Sequence, residues 1–207
     1  MIQVNFSLTK LIRLLGLWGF ISAAIASDLD VFLANSKTLR ANFSQTIITG
    51  NKSRSSSGTM EISRPNKFRW EYTQDKTLIV SDATKIYIYD QPLQQVTVKK
   101  LGASLDKSPA AVLAGGNDIY SHYRVSPAQL GADGLSWFKI IPQQPNDNNG
   151  FQQVSMGFAA NHHLSAMQFI DNFGNQTSLK FTNVQTGISL PNSDFKFVIP
   201  AGVDVAE

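Results

Sequence analysis

The chain contains no cysteine in 207 residues. For an exported protein this excludes a disulfide framework, and it equally excludes a lipid-modified N-terminal cysteine. Charge is also scarce, with 16% charged residues against 43% hydrophobic. The formal charge is +3, and Lys10 and Arg13 lie in the leader described below; without them it falls to +1. A balance so near zero gives no electrostatic basis for a nucleic-acid partner. The local signatures of common enzyme classes are missing too: there is no G-x-S-x-G, H-E-x-x-H, G-x-x-x-x-G-K-[ST] or G-x-G-x-x-G. His162 and His163 are adjacent, and neighbouring side chains of a strand point to opposite faces, so they read as a turn after Asn161 rather than a metal site. His122 stands alone and reads as structural or surface. Asp82 and Asp90 fall at strand ends, where turn chemistry accounts for them. No catalytic residue, metal ligand or cofactor is expected, and so no enzyme.

What is present begins with a leader. Lys10 and Arg13 supply a positive segment, Leu14 to Ile25 an apolar run, and Ala24-Ile25-Ala26 an A-x-A cleavage site. The run is short for a membrane span, which needs about 20 apolar residues. Residues 1–26 are therefore expected to be a cleaved secretory signal peptide rather than an anchor, with Ser27 as the mature N-terminus and residues 27–207 as one domain.

The mature chain opens on a short amphipathic helix. Ser27 or Asp28 can cap it, Asp28 and Asp30 suit the positive end of the helix dipole, and Leu29, Phe32 and Leu33 share one face. Most of the rest reads as strand: 41–47, 58–62, 67–73, 77–81, 85–89, 93–99, 123–126, 135–141, 151–158, 164–170, 177–182 and 194–199, with polar loops over Gly50 to Ser57 and Pro142 to Gly150. One helical signal interrupts this series at 108–116, where Ser108 is a capping residue, Pro109 suits the first helical position and Gly115-Gly116 ends it. Closely spaced strands joined by tight turns predict a mainly β fold: an antiparallel meander, a sandwich or a barrel.

The most informative stretch runs from Ile62 to Asp82. Phe68, Trp70 and Tyr72 alternate with Lys67, Arg69 and Glu71, which puts three aromatics on one face of a strand and three charges on the other. Arg64-Pro65 precedes it, breaking the ladder because proline offers no N–H. Spacing alone reads Arg64 as a cation stacked on, or solvated beside, a half-buried strand. The aromatic content is high, with 13 Phe, 5 Tyr and 3 Trp. A curved sheet with short helices laid on its concave side would use these aromatics and leave an apolar cavity. A fully packed sandwich or a closed barrel fits the pattern equally well.

A family resemblance decides between them. Phe43-Ser44-Gln45, the R-P-x-x-F-x-W run from Arg64 to Trp70, and Ile79-Val80-Ser81-Asp82 resemble the LolA family of outer-membrane lipoprotein carriers. The likeness continues through Tyr89-Asp90, Gln95 to Val98, Pro109 to Leu113, Met167 to Gly174 and Pro200 to Val205. Two departures touch turns: Ala83 stands where the family commonly has glycine, and Pro92 sits one residue later than the usual proline. The outer-membrane receptor of the same system is similar in fold but is itself a lipoprotein, and the missing cysteine argues against that assignment.

The resemblance implies an incomplete, half-open antiparallel β-barrel with a lid of short α-helices over a hydrophobic cavity. It implies a monomeric periplasmic chaperone of acylated lipoproteins. The partners would be an inner-membrane lipoprotein-releasing ABC transporter of the LolCDE type and an outer-membrane receptor of the LolB type. It assigns the Arg64 position to holding the lid closed and the Phe68 position to handling of the lipoprotein. Physical chemistry makes the task intelligible. Burying each CH2 is worth about 0.8 kcal/mol, so a chain of about 16 carbons gains roughly 13 kcal/mol in an apolar interior. A lid adjusts that affinity, because opening it subtracts from binding. Arg64 is expected to donate to backbone carbonyls at the C-terminal end of the 108–115 helix, since guanidinium has five donors and helix ends have orphan acceptors. Phe43, Ile62, Phe68, Trp70, Val112 and Leu113 are the expected acyl-chain contacts; Leu29, Phe32 and Leu33 form the apolar face of the first lid helix. Two rival readings remain at this point: an envelope lipid or lipoprotein sensor on the same fold, and a secreted hydrolase or glycan-binding protein, which would need a paired carboxylate that is not evident.

Overall fold

The computed structural model describes residues 27–101, 109–116, 119–129, 132–144 and 150–206. The expected leader and the Ser108 cap lie outside these residues. The chain starts with α1 (Asp28–Asn35), whose N-terminus carries a reciprocal cap: Ser27 accepts from the Asp30 amide, and the Asp30 carboxylate accepts from the Ser27 backbone. Leu29 and Phe32 are buried and Leu33 half-buried, which is the expected apolar face.

Six strands follow in a meander: β1 (Thr38–Thr49), β2 (Lys52–Ser63), β3 (Lys67–Tyr72), β4 (Thr77–Asp82), β5 (Lys85–Asp90) and β6 (Gln95–Lys100). Two short helices, α2 (Pro109–Ala114) and α3 (Ile119–His122), precede β7 (Tyr123–Ala128), β8 (Ser136–Pro142), β9 (Phe151–Phe158), β10 (Leu164–Asp171) and β11 (Gln176–Thr186). A 3-10 turn at Asn192–Phe195 and the three-residue β12 (Asp204–Ala206) close the chain. All strands join one sheet in the order β12-β6-β5-β4-β3-β2-β1-β11-β10-β9-β8-β7. Pairing is antiparallel throughout except between β12 and β6. The sheet is not closed: β7 and β12 are its two edges among the described residues.

Register builds the inner face. Ile62 pairs with Phe68, Met60 with Trp70 and Gly58 with Tyr72, while Phe43 pairs with Gly58 on the far side of β2. Directly paired residues share a face, so these side chains form one apolar surface. Leu29 and Phe32 of α1, and Ala110 and Leu113 of α2, join the same buried cluster. Phe32 and Phe158 of β9 have ring centres 5.4 Å apart. Gly58 marks a close approach: a Cβ there would lie 1.8 Å from the Glu71 carbonyl oxygen, so no side chain fits between β2 and β3 at that point.

Four elements differ from expectation, one of them the three-residue β12, for which the sequence reading has no counterpart. The loop expected over Gly50 to Ser57 is a two-residue turn at Gly50-Asn51, with Gly50 at a φ of +56°, followed by strand from Lys52. Residues 52–55 are exposed on both faces, so no apolar alternation marks them as strand; backbone pairing with Thr46–Thr49 holds them. The strand expected at Asp194–Ile199 is instead the 3-10 turn and an irregular segment. Its F-x-F spacing mimics strand alternation, but Phe195 and Phe197 anchor the chain on the sheet's outer face: Phe195 is buried, and Phe197 packs 5.5 Å from Tyr87 and 5.7 Å from Tyr89. The helix α3 has no counterpart in the sequence reading; four residues carry too little periodicity to be read.

Candidate functional site

Arg64 stands at the end of β2, where three structural units meet. Its backbone is fixed by donation to the Lys37 carbonyl at 2.8 Å, and the Arg64-Pro65 peptide is cis. The side chain turns inward between the helices. Nε donates to the Leu113 carbonyl of α2 at 2.9 Å, and the guanidinium carbon lies 4.8 Å from the centre of the Phe32 ring of α1. One side chain therefore joins both helices to the sheet. Next to it the Asn66 amide donates to the Ala114 carbonyl at 2.7 Å. The last two carbonyls of α2, orphaned by helix geometry, are thus both satisfied from the β2–β3 turn.

Burial has an electrostatic consequence here. Desolvation pushes the Arg64 guanidinium down to about 10, still well above neutrality, so it remains a cation inside the protein. Nη1 has no hydrogen-bond partner. A buried cation with an unused donor is costly to the closed arrangement, and a group of this kind is more readily explained by a task than by stability.

The other expected residues fall around it. Phe43, Ile62, Phe68, Trp70 and Leu113 are all buried, and Val112 is half-buried against the same cluster. Phe43 faces inward, with its ring centre 4.7 Å from Trp70 and 5.3 Å edge-on to Tyr72. Leu29, Phe32 and Leu33 approach from α1. The sequence-predicted residues thus share one apolar interior between the sheet and the two helices.

Sequence reasoning missed how α1 is tied down from outside. His162 Nδ1 and Asp28 Oδ1 lie 2.5 Å apart, and the Tyr120 hydroxyl of α3 donates to Asp30 Oδ1 at 2.6 Å. These pairs span 134 and 90 residues of sequence, so no local pattern could have signalled them. It also missed a polar cleft of about 580 Å³ at the far end of β3, lined by Gln45, Ser56, Tyr72, Gln74 and Asp75 among others. The signal was present in part, since Tyr72 continues the inward series of Phe68 and Trp70. Among the described residues no group of three or more His, Asp or Glu is placed to hold a metal ion.

With this geometry in place, the comparisons are decisive. Residues 34–198 match the family model described as outer membrane lipoprotein carrier protein LolA. The chain belongs to the LolA family. Its relatives include the outer-membrane lipoprotein carrier protein of Chromobacterium violaceum, 44% identical with 88% of this chain and 87% of that one covered. Another, from Dechloromonas aromatica, is 41% identical over 88% of each chain. Among solved structures, an uncharacterized conserved protein from Thermus thermophilus overlays with a TM-score of 0.52 at 13% identity, over 86% of this chain and 96% of that one, a likeness of fold alone. Ala83, which the resemblance set apart as standing in place of a glycine, sits at a φ of +80°, where glycine is unstrained.

Proposed function

We propose that this chain is a periplasmic carrier that accepts acylated lipoproteins released from the inner membrane and delivers them to the outer membrane, shielding their acyl chains between the sheet and the helices. The carrier proteins that it resembles along most of its length support the cargo and the compartment. The family is one of carriers, not of enzymes. Supply by an inner-membrane ABC transporter of the LolCDE type, and delivery to a receptor of the LolB type, are the finer parts of the proposal. So are removal of residues 1–26 as a signal peptide and action as a monomer.

The observation that carries the reading is the position of Arg64, held between the Leu113 carbonyl and the Phe32 ring. In this proposal Arg64 is the latch of a lid made by α1 and α2. Phe43, Ile62, Phe68, Trp70, Val112 and Leu113 meet the acyl chains once the lid lifts, and Leu29, Phe32 and Leu33 seal it when empty. The latch must be weak enough to yield to a ligand that gains roughly 13 kcal/mol per chain of about 16 carbons, and strong enough to favour release at the receptor. The sensor reading has no comparable support, since the matched relatives are named as carriers. The test is to express the full chain with its leader, purify it from the periplasm and identify what co-purifies by mass spectrometry. Acylated polypeptides in stoichiometric amount are expected; a chain that comes out free of them even when the outer-membrane receptor is depleted would overturn the proposal.

A further inference from the structure

The inner face of β3 changes character along its length. Phe68 and Trp70 lie near the Arg64 end, Tyr72 follows, and the polar cleft opens where β3 turns into β4. Three donors lie at the boundary. Gln45 is 6% exposed and Ser56 9%, yet the Gln45 Nε2 to Ser56 Oγ bond is 3.3 Å long. The Tyr72 hydroxyl donates to Gln45 Oε1 at 3.4 Å, far beyond the usual O–H···O distance of about 2.7 Å. Beside them Trp70 is 2% exposed and its Nε1 has no hydrogen-bond partner. Gln45, Ser56 and Trp70 are buried and Tyr72 is half-buried at the mouth of the cleft; donors so placed are ordinarily well satisfied, and a row that is slack or unpaired suits an acceptor brought from outside.

From this row we infer that the Tyr72 end of the interior is a subsite for the ester and amide carbonyls through which acyl chains join the lipoprotein's N-terminal residue, with the polypeptide leaving past Arg54 and Asp75. The inference rests on the carrier reading and deepens it by giving the cargo an orientation. The hydrocarbon runs towards α2 along Trp70 and Phe68, whose indole and ring offer area and little polarity. The linkages stop at Gln45, Ser56 and Tyr72, because carbonyl oxygens accept from these groups and hydrocarbon cannot. Burial pushes the Tyr72 phenol up, so it keeps its proton and remains a donor at neutral pH. Beyond the linkages, the Arg54–Asp75 ion pair at 2.8 Å sits at the solvent edge, as suits a hydrated peptide rather than an alkyl chain.

The experiment compares two synthetic peptides on the purified full chain. One bears an S-diacylglyceryl group on its N-terminal cysteine, and the other has the same chain lengths joined by ether links, which lack the carbonyls. Wild type is expected to bind the ester peptide about tenfold more tightly than the ether peptide, the sum of a few modest hydrogen bonds. Tyr72→Phe and Gln45→Leu are each expected to shrink that ratio to about two- to threefold, with ether-peptide affinity unchanged. Equal affinity of wild type for the two peptides overturns the subsite, as does a ratio that both variants keep; the wild-type comparison decides even where a variant folds poorly. If wild type binds neither peptide, the carrier reading falls and the subsite with it.

Discussion

Arg64 and Phe32 stack across the gap between the sheet and α1, the guanidinium carbon 4.8 Å above the ring, while the same side chain donates to Leu113 of α2. A single residue therefore couples two helices that are far apart in sequence, and its removal deletes the one side chain that ties both to the end of β2.

Arg64→Leu is expected to leave a carrier that accepts cargo but retains it. A charge-assisted hydrogen bond contributes about 1.5–3 kcal/mol, so cargo should be held roughly ten- to a hundredfold more tightly against release. Unfolding stability is expected to rise or to fall by no more than about 1 kcal/mol, because the variant also removes a desolvated cation. Arg64→Lys keeps the charge without the planar fork and should show an intermediate release rate. Transfer of lipoprotein to a receptor, with urea unfolding in parallel, checks both; normal delivery by Arg64→Leu would refute the latch.

Two backbone substitutions should act with opposite signs. Ala83→Gly relieves a left-handed residue and is expected to raise stability by about 0.5–1 kcal/mol. Gly58→Ala drives a Cβ into the Glu71 carbonyl and Phe43 Cε1, and is expected to lower it by about 3 kcal/mol or more. Denaturant midpoints of the two variants measure this directly.

Acid should loosen α1. The Ser136 hydroxyl and the His162 imidazole hold the Asp28 carboxyl below its ordinary range, and the Ser27 and Tyr120 hydroxyls do the same for Asp30. A carboxylate with a depressed folded-state pKa contributes stability above its unfolded value of about 3.9 and loses it as pH falls further. Wild type should therefore exceed Asp30→Asn in stability at about pH 6, with the difference fading below about pH 4. Both carboxylates are half-exposed, and screening by solvent keeps each effect under about 1 kcal/mol. Thermal unfolding across that range gives the curve, and a gap that does not narrow as the pH falls below about 4 would contradict it.

Trp70 should report on cargo. It lies within the apolar interior, whereas Trp137 packs over Gly157 and donates to the Asp133 carboxylate at 3.1 Å. Acyl-chain binding is expected to change the emission of wild type and of Trp137→Phe, and to leave Trp70→Phe nearly silent. A signal that survives Trp70→Phe would place the chains elsewhere.

Much of this was legible in the residue string. Alternation from Lys67 to Tyr72 gave the inward aromatic series, and Ser27 with Asp30 marked the first helix, because both signals are local. The Arg64–Leu113 hydrogen bond was reached by matching five donors to the carbonyls a helix end leaves free, with the family resemblance supplying the neighbourhood. Other features resisted for identifiable reasons. Lys52 to Ser55 form strand with both faces wet, and Phe195 and Phe197 imitate alternation while gripping the outer face. The Asp28–His162 contact and the Gln45–Ser56–Tyr72 row depend on register between distant segments, which no window of sequence contains.

Among the described residues β7 and β12 are unjoined edges, and this has a mechanical meaning. A cylinder of strands closed on itself has its bore set by strand number and stagger, and can widen only by rupturing a ladder. A wrap with free margins widens by flexing, with every existing ladder intact. Lifting the helices from such a wrap asks for a change of curvature and for no broken backbone pair.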